Sequence, residues 1–469
     1  MVQTEIAVIR FGLGARPGEF AAAAPDPRAW LMRQIVGPVN TAADVALAPS
    51  DQIFTELVAA RERRREVKQG AAVVNPVREA YLPHYRAQVL ARAQSAAQTR
   101  RPFAERLVHF WTNHFAVSAD KGAVVGIAGT LESEAIRQHV NGRFVELLTA
   151  VEQHPAMIEF LDNQSSVGKD SQLAQAAARR AADLPWGRMD PAAKPRREFG
   201  INENLGREIL ELHTLGVHGG YTQADVTTFA QIITGWSIGG GKGRLAGGVP
   251  GRFYFRDNLH EPGPKTFMGK TYRESGVRQG EAVLADLAAH PSTARFIATK
   301  LVRHFIADDP PASAVERVSR AFLKSDGDLP HVYAALIECP QIWDAQMHKY
   351  KTPQDFVFST LRALDVTPRD PQEVIRTFDL LGQRQFTPGS PAGWPDTAKG
   401  WDGSDALMHR VLWASRVAER FEHGQEPADL ADASLGGYVR PETTAALRRA
   451  SSPSQALALL LMSPEFQRR

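Results

Sequence analysis

The sequence predicts a mainly α-helical protein, a multi-helix globular chain with long loops and at most a small β-hairpin near residues 235–255. Three observations carry this. Apolar residues recur at helical spacing, as in Leu107, Phe110, Trp111 and His114 or Val283, Leu284 and Leu287. Strand-type alternation is scarce outside 235–255, and segments rich in Gly, Pro and small residues punctuate the helices. Such a pattern builds helix layers around a core, with function carried on the connecting loops.

Three regions follow in order: an N-terminal helical region at 1–100, a central helical region at 101–350 carrying the candidate site, and a C-terminal helical region at 351–469, together expected to form one continuous unit. In the first, Arg61 to Arg65 (RERRR) reads as a solvated helix face. In PFAERLVHFWTNHF, His114 falls among Phe103, Leu107, Phe110 and Trp111, so its imidazole should enter the apolar face while His109 points outward. HPAMIEF at His154 and HPSTARF at His290 each start a helix and echo one another as a trace of duplication would. Gln164 to Gly200 reads as a mobile insertion, and Gly239 to Gly251 as a flexible loop within the 235–255 hairpin. The closing QALALLLMSPEFQRR is a helix with a polar stop.

Composition narrows the function classes. The hydrophobic share of 43% and the charged share of 23% are those of a soluble globular protein. Fifty-five basic against 52 acidic side chains leave +3, scattered along the chain, which gives nucleic-acid binding no support. The single Cys339 excludes an intramolecular disulfide and any cysteine-based metal cluster. The opening MVQTEIAVIRFGLGARPGEF lacks signal-peptide form and no run of 18 apolar residues occurs, so a cytoplasmic chain without a membrane span is expected, although removal of a leader would read the same way. Motif tests exclude more. At Gly241-Lys242 a P-loop would need Gly at 236 and Ser or Thr at 243, where Trp236 and Gly243 stand. The G-x-G-x-x-A match at Gly241 runs into Gly247, Gly248 and Pro250, where a dinucleotide fold needs a helix. No G-x-S-x-G elbow, H-E-x-x-H pair or EF-hand loop is present.

The candidate site is Asn202 to Gly216, NENLGREILELHTLG. Asn202 suits an N-cap and Gly216 a C-terminal stop, predicting a helix from about Glu203 to about Thr214. On an ideal helix Leu205, Ile209 and Leu212 share the apolar face, and Asn204, Glu208 and Glu211 line its edge. Arg207 can pair with Glu203 and Glu211 along the surface. Glu208 has only Asn204 and Leu212 at that spacing, so a carboxylate at the border of a buried face must be paired, protonated or bound to a cation. It reads either as a working carboxylate or as a structural acceptor. His114 requires a partner when buried, which Glu208 or Glu211 would supply. His260 and Lys265, in the Pro- and Gly-rich loop NLHEPGPKTFMG, are candidates for binding chemistry, with Lys265 either neutralising an anion or holding the loop. His213 and His218 flank the end of the acidic helix, with His213 predicted to point away from Glu208 and Glu211.

Together His114, Glu208, Glu211 and His260 form a mixed nitrogen and oxygen ligand set suited to a divalent transition metal such as zinc, iron, manganese or copper. The corresponding reading is an enzyme in which Glu208, Glu211 and His114 do acid/base or metal-assisted work and Arg207, Asn204 or Lys265 hold the substrate. The alternative is a non-catalytic partner or maturation factor for a neighbouring protein, with the polar cluster structural.

HFWTNHF, HPAMIEFLDNQSSVG, NENLGREILELHTLGVHGGYTQADV with TGW, HEPGPKTFMG, and HPSTARFIATKLVRHF followed by SDGDL together resemble the large bacterial family catalogued as domain of unknown function 1800. The resemblance runs from RFGLGARPGEF to SPEFQRR. It implies a mainly helical bacterial protein, often encoded beside members of a second family that resemble exported sulfatase- or phosphatase-like proteins. Many relatives look exported, which sets a periplasmic location against the cytoplasmic expectation. The family pattern usually places a histidine where Thr112 stands, so a ligand role there is absent in this chain, and it tends to have Asp where Glu261 stands.

Overall fold

Prolines mark where many of the helices begin. Pro102, Pro291, Pro353, Pro371 and Pro453 each occupy the first helical turn, where the missing N–H costs nothing and the fixed φ suits the helix. Polar caps precede several of them: Thr352 accepts from Asp355 N, Asp370 from Gln372 N and Ser452 from Gln455 N. The two echoing His-Pro segments share a cap geometry. His154 and His290 are both N-caps in extended conformation, and each Nδ1 accepts a backbone N–H two residues on at 3.1 Å. This cap accounts physically for the repeated HP start.

The computed structural model describes residues 2–66, 75–182, 200–241, 246–421, 424 and 426–469. Residues 183–199 of the expected insertion, residues 242–245 of the glycine-rich loop and the side chains of Arg64 and Arg65 lie outside the described residues. The chain is mainly helical, as predicted. The helices that build the site's surroundings are α1 (Leu82–Gln98), α2 (Pro102–His114), α3 (Phe144–Glu152), α4 (Asn204–Glu208), α5 (Val277–Ala288), α6 (Pro291–Phe305), α7 (Ala312–Lys324), α8 (Leu329–Ile337), α9 (Pro353–Ala363), α10 (Pro371–Leu381), α11 (Ser404–Arg420) and α12 (Pro453–Leu461). Neighbours in sequence pack on one another, α6 on α7 and α7 on α8, while α1 lies against α9 and α10, α3 against α5, and α11 against α12. One cluster of buried apolar side chains runs through the described chain from Ile6 to Phe466. α2 sits within it: every residue from Pro102 to Trp111 is buried, as is His114. No helix among the described residues is long and apolar enough to cross a membrane.

Two features depart from the sequence reading. Among the described residues the β structure is two antiparallel pairs rather than one: β1 (Trp236–Ile238) with β2 (Phe253–Phe255), as expected, and β3 (Lys265–Phe267) with β4 (Lys270–Tyr272). The second closes on Met268 and Gly269, both with positive φ (46° and 77°), the backbone a two-residue I′ hairpin turn requires. Strands of three residues are too short for alternation to reveal.

The predicted helix from Glu203 to Thr214 is α4 followed by a π-helical turn, Ile209–His213. Bonds from i to i+5 admit an extra residue to the turn, so side chains beyond Glu208 rotate away from ideal α-helical positions. That rotation, together with the Gly216 φ of +80° that ends the segment against the Phe296 ring, sets where Glu211 and His213 point.

Candidate functional site

The Asn202 segment is anchored as its sequence suggests. Asn202 Oδ1 accepts from Asn204 N at 2.9 Å, and Arg207 pairs with Glu203 at 2.9 Å. Asn204 is exposed, and Arg207, Glu208 and Glu211 are half-buried. Burial raises the pKa of Glu208, and Glu211 adds to the effect, while nearby His213 opposes it. The carboxylate that His213 meets is Glu152 rather than one on its own segment. His213 is fully buried, and its Nδ1 lies 2.7 Å from Glu152 Oε1 on α3. The π turn is the physical reason: it rolls His213 inward onto α3.

His114 enters the apolar face as expected, with the rings of Phe110, Trp111, Phe115 and Phe296 around it. Its partner is neither Glu208 nor Glu211. Nε2 lies 3.1 Å from the backbone oxygen of His213, which can only accept, so Nε2 carries the proton and Nδ1 is a bare acceptor with no hydrogen bond in the protein. Burial first, then the charge of Lys300, drives the His114 pKa well below its ordinary value and keeps the ring neutral.

His109 is not exposed. Because α2 is enveloped on nearly all sides, its polar residues are buried too, and they are met by charge. Arg137 grips Glu105 with two bonds of 2.9 and 2.6 Å and Glu132 with a third of 2.9 Å. Arg92 stands 3.3 Å from Glu132, His109 stands 3.4 Å from Glu105, and Thr112 donates to Glu132 at 2.9 Å. Thr112 thus serves a structural network.

His260 and Lys265 are engaged in their own neighbourhood. His260 Nδ1 donates to the Thr234 carbonyl at 2.9 Å and Nε2 lies 3.2 Å from Glu274. Lys265 Nζ donates to the carbonyls of Glu261, Pro262 and Gly263, closing its loop. Among the described residues no three His, Cys, Asp or Glu side chains are grouped so as to hold a metal ion. The expected set of His114, Glu208, Glu211 and His260 does not form such a group; one nitrogen of each ring is turned to a local carbonyl, His114 Nε2 to His213 and His260 Nδ1 to Thr234.

A cavity of about 520 Å³ lies beside this segment, between α2, α6, the start of α9 and residues 383–397. That size suits a small molecule. His114 and Leu212 connect it to the Asn202 segment, and His109, Lys300, Arg303, His304, Asp355 and Asp396 bring charge and imidazole to its wall. The 383–397 segment is pinned to α2 by Asn113, which donates to the Trp394 carbonyl at 3.0 Å and accepts from the Trp394 N–H at 2.7 Å. Gly393, with φ +83°, permits the approach: a Cβ there would stand 2.3 Å from the Asn113 carbonyl.

This pinned loop delivers Asp396 to His304. His304 Nδ1 lies 3.0 Å from Asp396 Oδ2, and His304 Nε2 is buried without a hydrogen bond in the protein. Although burial favours the neutral acid, His304 and Lys349 outweigh it and hold Asp396 below the usual carboxylate range. The carboxylate therefore accepts a hydrogen bond from Nδ1–H, leaving the Nε2 lone pair free. Burial lowers the His304 pKa to about 4 against the opposing pull of Asp396. Around the pair, Asp355 accepts from Arg106 at 2.8 Å and from Arg469 at 3.0 Å, and Lys349 bonds Asp308 at 2.5 Å. Burial brings the Lys300 ammonium down to about 8.

His304, Asp396, Lys300 and Asn113 escaped the sequence reading. A signal was available for two of them, since Phe296, Lys300 and His304 follow at i, i+4 and i+8 and so stripe one face of α6. Nothing local marks Asp396, whose role depends on a contact 92 residues away in sequence.

Fold and site together define a mainly helical protein with a histidine–carboxylate pair on the wall of a cavity. The chain belongs to the family described as "Protein of unknown function (DUF1800)", whose model matches residues 6–468. No curated protein and no solved structure matches the chain.

Proposed function

We propose that this protein is an acid/base enzyme whose reaction takes place in the cavity between α2 and α6, with His304 as the proton-transferring residue. The observation that supports it is the buried His304 Nε2, unbonded within the protein, on a ring oriented through Nδ1 by Asp396 on a cavity wall. A neutral imidazole backed by an ionised carboxylate accepts a proton from a substrate or a water at Nε2, and the carboxylate stabilises the imidazolium that results. His114, also on the wall with a bare Nδ1, offers a second neutral acceptor. Glu208 and Glu211 act in this reading behind the wall, through the electrostatics of the His213–Glu152 pair. The structural alternative fits the Arg137 network, where buried carboxylates and guanidiniums pair with one another, better than it fits the cavity, where the His304 Nε2 and His114 Nδ1 lone pairs face the wall without protein partners.

The test is turnover. The purified protein is incubated with a bacterial metabolite extract and depletion of individual species is followed by mass spectrometry, with His304→Gln and Asp396→Asn run in parallel and their folding checked by circular dichroism. A species consumed by the wild type and spared by both folded variants supports the reading. Consumption unchanged in both variants removes His304 from the chemistry.

A further inference from the structure

The ionic content of the cavity wall is unbalanced, and the imbalance has a sign. Asp355 is shared by two guanidiniums, Arg106 on Oδ1 at 2.8 Å and Arg469 on Oδ2 at 3.0 Å. Asp396 is shared by His304 at 3.0 Å, Lys349 at 3.8 Å and Arg469 at 4.0 Å. Both carboxylates of the inner wall are thus already engaged by Arg106, Arg469 and Lys349, the last of which also binds Asp308 at 2.5 Å, and neither is left over for another cation.

Two further cations on the same wall have no carboxylate of their own. Lys300 donates no hydrogen bond to the protein among the described residues, and its Nζ lies 5.6 Å from the centre of the Phe296 ring. Arg303 makes one long bond, Nε to the Asp308 carbonyl at 3.3 Å, and no ion pair among the described residues. Standing three residues apart on α6, they project from one side of the helix into the same cavity. The contrast with Arg92 and Arg384 is informative: these other wall cations have Glu132 at 3.3 Å and Asp120 at 3.0 Å. A half-buried ammonium without a counter-ion is costly, and a concave site with surplus positive charge concentrates anions.

We propose that the cavity binds its substrate through an oxyanionic group, a carboxylate or a phosphate, held by Lys300 and Arg303 so that the rest of the molecule faces His304 Nε2. The choice of cavity rests on the acid/base reading, while the charge argument does not use it. Lys300 supplies a point charge and Arg303 a planar fork, a pairing that accepts either anion. Aromatic walls from Phe110, Phe115, Phe296 and Trp394 leave the remainder of the ligand an apolar surface.

The test is calorimetric titration of the full-length protein at pH 7 and low ionic strength with two probes, sodium phosphate and sodium succinate, against sodium chloride as reference. Saturable binding of at least one probe is expected in the wild type, weakened about tenfold or more in Lys300→Met and again in Arg303→Gln. The exposed Lys324→Met serves as the charge-matched control and should bind as the wild type does. Phosphate alone binding would assign a phosphorylated substrate, and succinate alone a carboxylated one. Failure of the folded wild type to bind either probe saturably, or binding unchanged in both cavity variants, overturns the proposal. His304→Gln separates the two readings. Probe binding lost in Lys300→Met while turnover still depends on His304 supports both. Probe binding retained with turnover indifferent to His304 keeps the anion site and sinks the acid/base role, and His304-dependent turnover without probe binding does the reverse.

Discussion

His304 Nδ1 stands 3.0 Å from Asp396 Oδ2, across 92 residues of sequence, and the opposite nitrogen of the same ring has no hydrogen bond in the protein. The carboxylate fixes the tautomer; the cavity receives the lone pair. Replacing Asp396 by Asn should therefore leave the loop in place but remove the charge that selects this tautomer. The expected result is a fall in kcat of about a hundredfold to ten-thousandfold on whichever substrate the wild type consumes, with KM changed far less, measured by steady-state kinetics.

The loop that carries Asp396 depends on Asn113 and Gly393. Gly393→Ala places a Cβ 2.3 Å from the Asn113 carbonyl at a φ of +83°, combining a backbone clash with left-handed strain. A loss of about 2 kcal/mol or more is expected in urea unfolding, with activity reduced along with it. Asn113→Ala strands the N–H and C=O of Trp394 and should cost about 1–3 kcal/mol.

The Arg137 network should behave as structure and not as chemistry. Glu105→Ala leaves a fully buried guanidinium short of its bidentate partner, which predicts a loss of about 3–5 kcal/mol by denaturant titration. Glu203→Ala breaks the partly exposed pair with Arg207 and should cost well under about 1 kcal/mol. Equal effects would show that burial does not govern these pairs.

Acid should destabilise the fold earlier than carboxylate chemistry alone would require. His304 takes up a proton near pH 4 when folded and near its ordinary value of about 6.5 when unfolded, and burial depresses His114 and His109 in the same sense. Between those values the unfolded chain binds more protons, so stability is complete above about pH 6.5 and falls as pH drops toward about 4. Unfolding free energies measured across that window should show this slope, reduced in His304→Gln. A flat profile would contradict neutral burial of these rings.

Much of the fold was legible because helix chemistry is local. Periodicity placed the apolar faces of α2 and α5, and it put His114 among the aromatic rings that surround it. The site was less legible for two physical reasons. A π turn at Ile209–His213 shifts the rotation of the side chains after Glu208, and an ideal-helix projection of the segment does not reach the Glu152 carboxylate on α3 that His213 meets. The partners that decide function are also long-range: Asn113 meets Trp394, and His304 meets Asp396, through a loop with no periodicity to read. His109 was misplaced because the projection assumes a solvent-facing side, which a helix buried on nearly all sides lacks. Pairing within the surface, as between Glu203 and Arg207, was readable from spacing alone.

The most direct measurement is the protonation of the His304 ring, followed by nitrogen-15 NMR on protein labelled at histidine and assigned with His304→Gln. The account predicts a neutral ring between pH 5 and 7, protonated at Nδ1 and bare at Nε2. A ring protonated at Nε2, or one titrating near its ordinary pKa of about 6.5, would contradict the base proposed for the cavity.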